Sequence, residues 1–505
     1  MRVASRWFVV SVCAIVLLGT LGRAQDTQPK PLDAAGKKAL EVDKNLIVAA
    51  TKGSELLANL TYLSDVIGPR LTGSAALKKA NDWTVERMKS YGLSSVHLEA
   101  WSMPEGWQRG SAYARIVEPD NGRTIALASM AWYPGTSGKI LGDVVVVNAK
   151  NSKELETYAG KLKGAIVLAR PPSKLTPWEE IEKPSGKDGF QFKGGDKGGK
   201  KFGGFESDRE FAKVRSEFFT KEGVAVILTD SSKHFNLLNM TGSWSGTDRP
   251  SASNRIPTAF VANDHYSLLY RLATRPQPAV TRMEIEINNK FVPGPIAVYN
   301  TVGDIVGSER PDEFVIVGAH LDSWDLGQGT LDNGTGTCVV LETARLLAKS
   351  GVQPKRSIRF ILFTGEEQGL HGSKQYCQQH KAELGKFTAA MVHDTGTGKV
   401  TGLGWFGRTA LKSILETEMV SLKELGVGNL LGRALSGSDH ASFEQAGVPG
   451  CMMVQEIAGY RFAHHSQADT LTMAREPDLI QGAQVMSVTA MRLANLEQLL
   501  PREKK

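Results

Sequence analysis

The chain has 505 residues, 41% of them hydrophobic and 22% charged, which is apolar enough for two or more buried cores and excludes a disordered chain. Its formal charge is only +7, and much of that excess falls in the Gly/Lys stretch 184–204, with five lysines against two aspartates. No basic face of the kind that holds nucleic acid is implied, and no nucleic-acid partner is expected.

Arg2 and Arg6 precede an apolar run from Trp7 to Leu21 and a short segment ending at Ala24, which reads as a secretory signal peptide, residues 1–24. The run is short for a bilayer span and no later stretch reaches transmembrane length. The mature protein is therefore expected to be secreted or periplasmic, without stable membrane insertion. Cys13 leaves with the signal, and Cys338, Cys377 and Cys451 read as small buried hydrophobes, not a disulfide framework.

From Ala49 to Tyr91 the periodicity is helical, broken at Gly68–Ser74, and it leads to a strand at Ser95–Glu99. After about Met130 the texture changes to short Gly-bounded strands, Gly142–Asn148, Gly164–Ala169 and Gly223–Leu228. The Gly/Lys stretch between them lacks apolar periodicity and reads as a mobile loop. A strand-rich insert, residues 107–292, is predicted between two parts of one α/β domain, 25–106 and 293–505. Past the Pro-rich exit at Pro293–Pro295, Ile296–Ile305 and Phe314–Gly318 predict a hairpin back into that domain. Helices are expected at Thr337–Lys349 and Leu411–Leu425, with an amphipathic closing helix at Pro477–Leu500.

The chemistry-bearing residues gather at predicted strand ends. Phe314–Val317 reads as a buried strand, so His320 and Asp322 lie just past its carboxyl end, where α/β sheets place ligands. Asp332 follows in a Gly-rich loop that opens a helix. The pattern recurs three times: Ile358–Thr364 runs into Glu366 and Glu367, Ala389–Val392 into His393 and Asp394, and Gly450–Val454 precedes His464, His465 and Asp469. Adjacent glutamates at a strand end are costly to bury unless a cation offsets them. Imidazoles and carboxylates converging in this way are metal-site chemistry.

These motifs, His320 to Gly329, the Asp332 loop, Glu366 to Gly369, Asp394 and His465-Ser466-x-x-Asp469-Thr470, resemble the co-catalytic zinc exopeptidases. The Trp324-Asp325-x-Gly327-Gln328-Gly329 run, with Arg70–Ser74 and Val96–Glu99 upstream, is most similar to the plasma glutamate carboxypeptidase branch. The middle segment resembles, more loosely, a protease-associated domain. The resemblance implies a three-layer α/β/α domain with a mixed, mostly parallel sheet, and a secreted exopeptidase acting on dipeptides or short peptides. It implies two Zn2+ per chain, replaceable by Co2+ or Mn2+. His320 and Asp394 would hold one, Glu367 and His465 the other, with Asp332 between them. Glu366 would be the general base acting with a metal-bridging hydroxide, and Asp322 would orient His320.

Two other readings use the same scaffold: a receptor or peptide-binding protein that has lost its metals, and a glutaminyl cyclase with a single zinc. Every ligand position here is filled by a competent side chain, and Asp394 with the paired glutamates suits two metals. His464 fits the spacing less well than His465, and His393 and His440 read as packing or supporting residues. Which peptide end is recognised stays open. Asp439 and Glu456 would suit an ammonium, and Arg408, Arg433 and Arg461 a carboxylate. The insert is expected to roof the site, and a homodimer is left open.

Overall fold

Two sheets carry the chain, seen here in a computed structural model that describes residues 34–120, 122–175, 177, 208–242, 255–276, 280–432, 437–457 and 459–503. The predicted signal peptide and the Gly/Lys stretch lie outside the described residues. Helices α1 (Ala34–Thr51), α2 (Leu56–Thr61) and α3 (Ala75–Tyr91) lead into the long strand β1 (Ser94–Gln108). Then come β2 (Ala112–Glu118), β3 (Leu127–Ser129), β4 (Ile140–Val146), α4 (Ser152–Glu156), β5 (Ile166–Leu168) and α5 (Asp208–Glu222). They are followed by β6 (Val226–Asp230), β7 (Thr258–Val261), α6 (Asn263–Ala273) and β8 (Arg282–Ile287). The chain returns through β9 (Lys290–Ile305), β10 (Arg310–His320), α7 (Thr335–Lys349), β11 (Arg356–Phe363), α8 (His371–Gln379) and β12 (Phe387–Val392). It closes with β13 (Val400–Gly404), α9 (Lys412–Glu418), β14 (Asn429–Gly432), α10 (His440–Gln445), β15 (Gly450–Gln455), α11 (Tyr460–Ala463) and α12 (Glu476–Ala494).

The larger sheet has the order β1-β9-β11-β10-β12-β15-β13-β14, parallel through β11, β10, β12 and β15, antiparallel at β1-β9, β9-β11 and β15-β13, and parallel again at the β13-β14 edge. Its central strands are apolar on both faces, as a sheet covered by helices on two sides requires. Val315, Val317 and Ala319 of β10 pack into the core beneath α7 and α12, whereas Ile316 faces a second cluster with Tyr376 of α8 and Phe443 of α10. The result is the expected α/β/α arrangement.

Three expected elements differ. Ile296–Ile305 and Phe314–Gly318 do not form a hairpin, because β11 lies between β9 and β10, antiparallel to the first and parallel to the second. Leu411–Leu425 is split into α9 flanked by 3-10 turns. The closing helix ends at Ala494 and is buried on all sides from Asp478 onward, apart from Ile480. Two of its polar residues find partners inside the protein: Gln481 bonds both the N–H and the C=O of Val400, and Arg492 pairs with Asp43 of α1 at 2.6 Å. Helix α1 is the outer cover that makes this burial possible. Cys338, Cys377 and Cys451 are buried and unpaired, and no described helix is long and apolar enough to cross a membrane.

The second sheet, β2-β8-β4-β5-β6-β7-β3, is built wholly from residues between Ala112 and Ile287. Helix α6 contributes Tyr266 and Leu269 to one of its cores, while Leu155, Phe218 and Phe219 from α4 and α5 fill the other. The ribbon of β1 and β9 pairs from Ser94↔Asp304 out to Gln108↔Lys290, so residues 106 and 292 lie inside paired strands. A loop after β6 reaches back to the larger domain, where Asn239 bridges to Ser466.

Candidate metal centre

His320 is the last residue of β10, and Glu366 and Glu367 occupy the turn after β11. That turn is fixed by Gly365, whose φ of +74° and Trp101 ring, 2.7 Å from where a Cβ would stand, leave no room for a side chain. Asp394 follows β12, and His465 follows α11 with a left-handed φ of 55°. Asp332 sits in the turn Thr330–Gly334 that opens α7. Three strand ends, one helix end and one helix start thus converge.

Asp332 lies at the middle. Its Oδ1 is 3.3 Å from His320 Nε2 and its Oδ2 is 3.3 Å from His465 Nε2. On the first side His320 Nε2 also lies 3.2 Å from Asp394 Oδ1, and on the second His465 Nε2 lies 3.0 Å from Glu367 Oε2. Two potential cation groups share this one carboxylate, His320-Asp332-Asp394 and Asp332-His464-His465. Asp332 Oδ2 and Glu367 Oε1 are buried without a hydrogen-bond donor, a condition that a bound cation relieves.

The supporting contacts fix these positions. Arg70, fully buried, donates to the carbonyls of Leu321 at 2.7 Å, Gln328 at 3.1 Å and Gly329 at 2.7 Å, clamping the His320 and Asp332 loops together. Asp469 accepts from the N–H groups of Leu331 at 2.6 Å and Asp332 at 3.3 Å. His320 Nδ1 lies 2.9 Å from the main-chain carbonyl of Asp322 and 3.7 Å from its Oδ1. The ring is therefore held by the backbone of Asp322, while the carboxylate accepts from Thr72 Oγ1 at 2.7 Å and the Glu366 N–H at 3.3 Å.

The electrostatics are those of a carboxylate cluster with too little positive charge. Burial, then the neighbouring Asp394, Glu367 and Asp439, pushes Glu366 well above the carboxylate range despite His320 nearby. Burial and Asp332 do the same to Glu367. Burial would depress His320, yet the surrounding acids, Asp394 first, hold it well above its ordinary value. Burial lowers His465 to about 4 and His464 to about 3, which favours the neutral imidazole that a metal requires. Divalent cations would reverse the strain on the acids.

The other candidates separate clearly. His464 Nε2 lies 3.9 Å from Asp332 Oδ2, at the rim of the cluster. His393 is buried with neither ring nitrogen bonded, and burial lowers it to about 3. Burial likewise raises Asp439 to about 7, and neither of its oxygens has a well-formed hydrogen bond. Arg408 is not available for a substrate carboxylate, since it is buried against Glu444 at 3.0 Å. Arg433 lies outside the described residues. Lys233, on the loop after β6, was not anticipated. Its Nζ donates to the His464 carbonyl at 2.8 Å, and the signal that marks it is its place just past a parallel strand's carboxyl end.

Comparison with known proteins gives the family of the chain. The description of peptidase family M28 matches residues 300–490. Carboxypeptidase Q of Mus musculus is 31% identical over 459 residues, covering 91% of this chain and 89% of that protein, and the Homo sapiens protein is 30% identical over 460 residues with the same coverage. The chain belongs to peptidase family M28. This M28 protein is accordingly a metallopeptidase, a hydrolase. Its fold is similar to a peptidase M28 precursor from Shewanella amazonensis, with a TM-score of 0.72, 25% identity, and coverage of 92% of this chain and 99% of that one. It is also similar in fold to a zinc aminopeptidase from Bacillus subtilis, with a TM-score of 0.59, 20% identity, and coverage of 86% and 93%.

Proposed function

We propose that this M28 protein is a secreted dinuclear zinc exopeptidase that hydrolyses dipeptides or short peptides. The observation that carries the reading is Asp332, which presents one carboxylate oxygen to each of two histidine-acid groups. His320 and Asp394 would hold one cation and Glu367 and His465 the other, with Asp332 shared. Nitrogen and oxygen donors without thiolate suit zinc, with cobalt or manganese as substitutes, and a solved neighbour is itself a zinc aminopeptidase. When bound, two such cations polarise a scissile carbonyl and acidify water.

The protein's own groups supply the remainder. Glu366, next to the ligand Glu367 but outside the close contacts to Asp332, takes up a proton at its carboxylate and returns it to the leaving amine. Asp322 accepts from the Glu366 N–H and thereby ties the base to the loop that carries His320. The insert supports a roofing role, because Lys233, Leu238 and Met240 bond the segment His464–Gln467. Such a roof would favour short peptides. A binding protein lacking metals, or a single-zinc cyclase, would not need all five ligand positions filled.

Elemental analysis of protein purified without chelator is the test, with close to two metal equivalents expected and peptidase activity lost on chelation and regained with zinc. A fully active enzyme with one equivalent would overturn the dinuclear reading. Amino-terminal sequencing of the exported protein tests cleavage near Ala24.

A further inference from the structure

We propose that the cleft beside His464 receives the free α-carboxylate of the substrate, with Lys233 as its cationic anchor. This rests on the dinuclear reading above and assigns the peptide end which that reading leaves open. The cleft has a volume of about 270 Å3 and its lining includes Lys174, Lys233, His234 and Arg461 but no carboxylate. Its walls come from both domains, the loop after β6 and helix α11. An amino-terminal ammonium would meet only cations and neutral groups here, whereas a carboxylate finds charge-assisted donors.

Lys233 is placed for that contact. It is half-buried, one of its N–H donors is engaged by the His464 carbonyl, and among the described residues it has no ion-pair partner. His464 touches both groups: its main-chain carbonyl accepts from Lys233 Nζ at 2.8 Å, and its Nε2 lies 3.9 Å from Asp332 Oδ2. One residue of extended peptide spans about 3.5 Å. Lys233 and Asp332 are linked through the single residue His464, so a carboxylate one residue beyond a scissile carbonyl seated at Asp332 would be directed to Lys233. Phe235, 65% exposed, lies beside Phe462 with ring centroids 6.3 Å apart and offers an apolar flank for that residue's side chain.

The loop itself is held in costly backbone. Ser232, Phe235 and Asn236 have φ values of 55°, 57° and 56°, left-handed conformations that non-glycine residues keep only where surrounding contacts impose them, often at ligand clamps. Ser231 Oγ donates to the Leu237 carbonyl at 2.7 Å, and Gln467 Oε1 accepts from the Leu238 N–H at 2.8 Å, bracing the loop against the metal-site segment.

The test compares kcat/KM for a dipeptide and for the same dipeptide with its carboxylate converted to an amide. Lys233→Met should lower the acid-to-amide ratio by about 10- to 100-fold, the usual effect of losing a hydrogen bond to a charged group. Lys233→Arg should retain most of the ratio. An equal fall for both substrates, or an unchanged ratio, overturns the assignment. A second measurement needs no variant: calorimetric titration of the zinc-loaded protein with a free amino acid and with its amide should show the acid binding at least about tenfold tighter, and equal affinities overturn the assignment too. Absence of any chelator-sensitive hydrolysis would instead reject the dinuclear reading, so the two failures are distinguishable.

Discussion

Each oxygen of Asp332 faces a different histidine, so under the proposed function neutralising this side chain should uncouple the two halves of the site. Asp332→Asn replaces one oxygen with an amide nitrogen that cannot ligate, and the metal count should fall from about two toward one per chain, measured by elemental analysis with circular dichroism confirming the fold. Glu366→Gln should keep its metal and its fold and lose about 100- to 10,000-fold in kcat; near-native turnover would remove Glu366 from the role of base. Most of this site was legible in the sequence, because its residues cluster at strand ends and each cluster pairs a costly acid with an imidazole or a second acid. Lys233 was not, since its approach to His464 depends on how the insert docks. Arg408 misled for the converse reason: a buried arginine looks the same in sequence whether it awaits a substrate or, as here, faces Glu444.

At the scale of elements, strand positions were readable from their apolar runs, but strand pairing was not. Ile296–Ile305 and Phe314–Gly318 are neighbours in sequence with a turn between them, yet β11, arriving later, takes the place between them through its contacts on both edges. The closing helix carries polar residues that suggest a wet face, and only the partners reveal otherwise. Arg492 meets Asp43 with both side chains nearly inaccessible, 9% and 1% exposed. Removing Asp43 leaves the buried Arg492 only the longer contact to Glu418, 3.6 Å away. Asp43→Ala should therefore cost roughly 3 to 5 kcal/mol in urea unfolding, and Arg492→Met added to it should recover part of that loss. A cost near zero for the single variant would show that α1 is not a structural cover for α12.

At the scale of the whole molecule, the insert and the peptidase domain share a ribbon and meet again across the metal site. Replacing residues 109–289 with a tight turn should leave a folded core that binds metal but discriminates less between dipeptides and longer peptides, compared through their kcat/KM ratios. Unchanged discrimination in a folded variant would rule out the roofing role. The change of texture near Met130 announced the second module, but nothing in the sequence shows where its loops land, because that is decided by contacts such as Arg109 with Asp325 at 2.8 Å.

The ribbon of β1 and β9 has a further consequence. The chain departs at Gln108 and comes back at Lys290, and these two residues are paired across the ladder, about 5 Å apart at their Cα atoms. Entry and exit therefore form a single narrow socket at the end of a strand pair. Any module whose own ends lie that close could be exchanged there without disturbing the register of the catalytic sheet. In such a protein, hydrolytic chemistry and substrate choice are free to diversify separately.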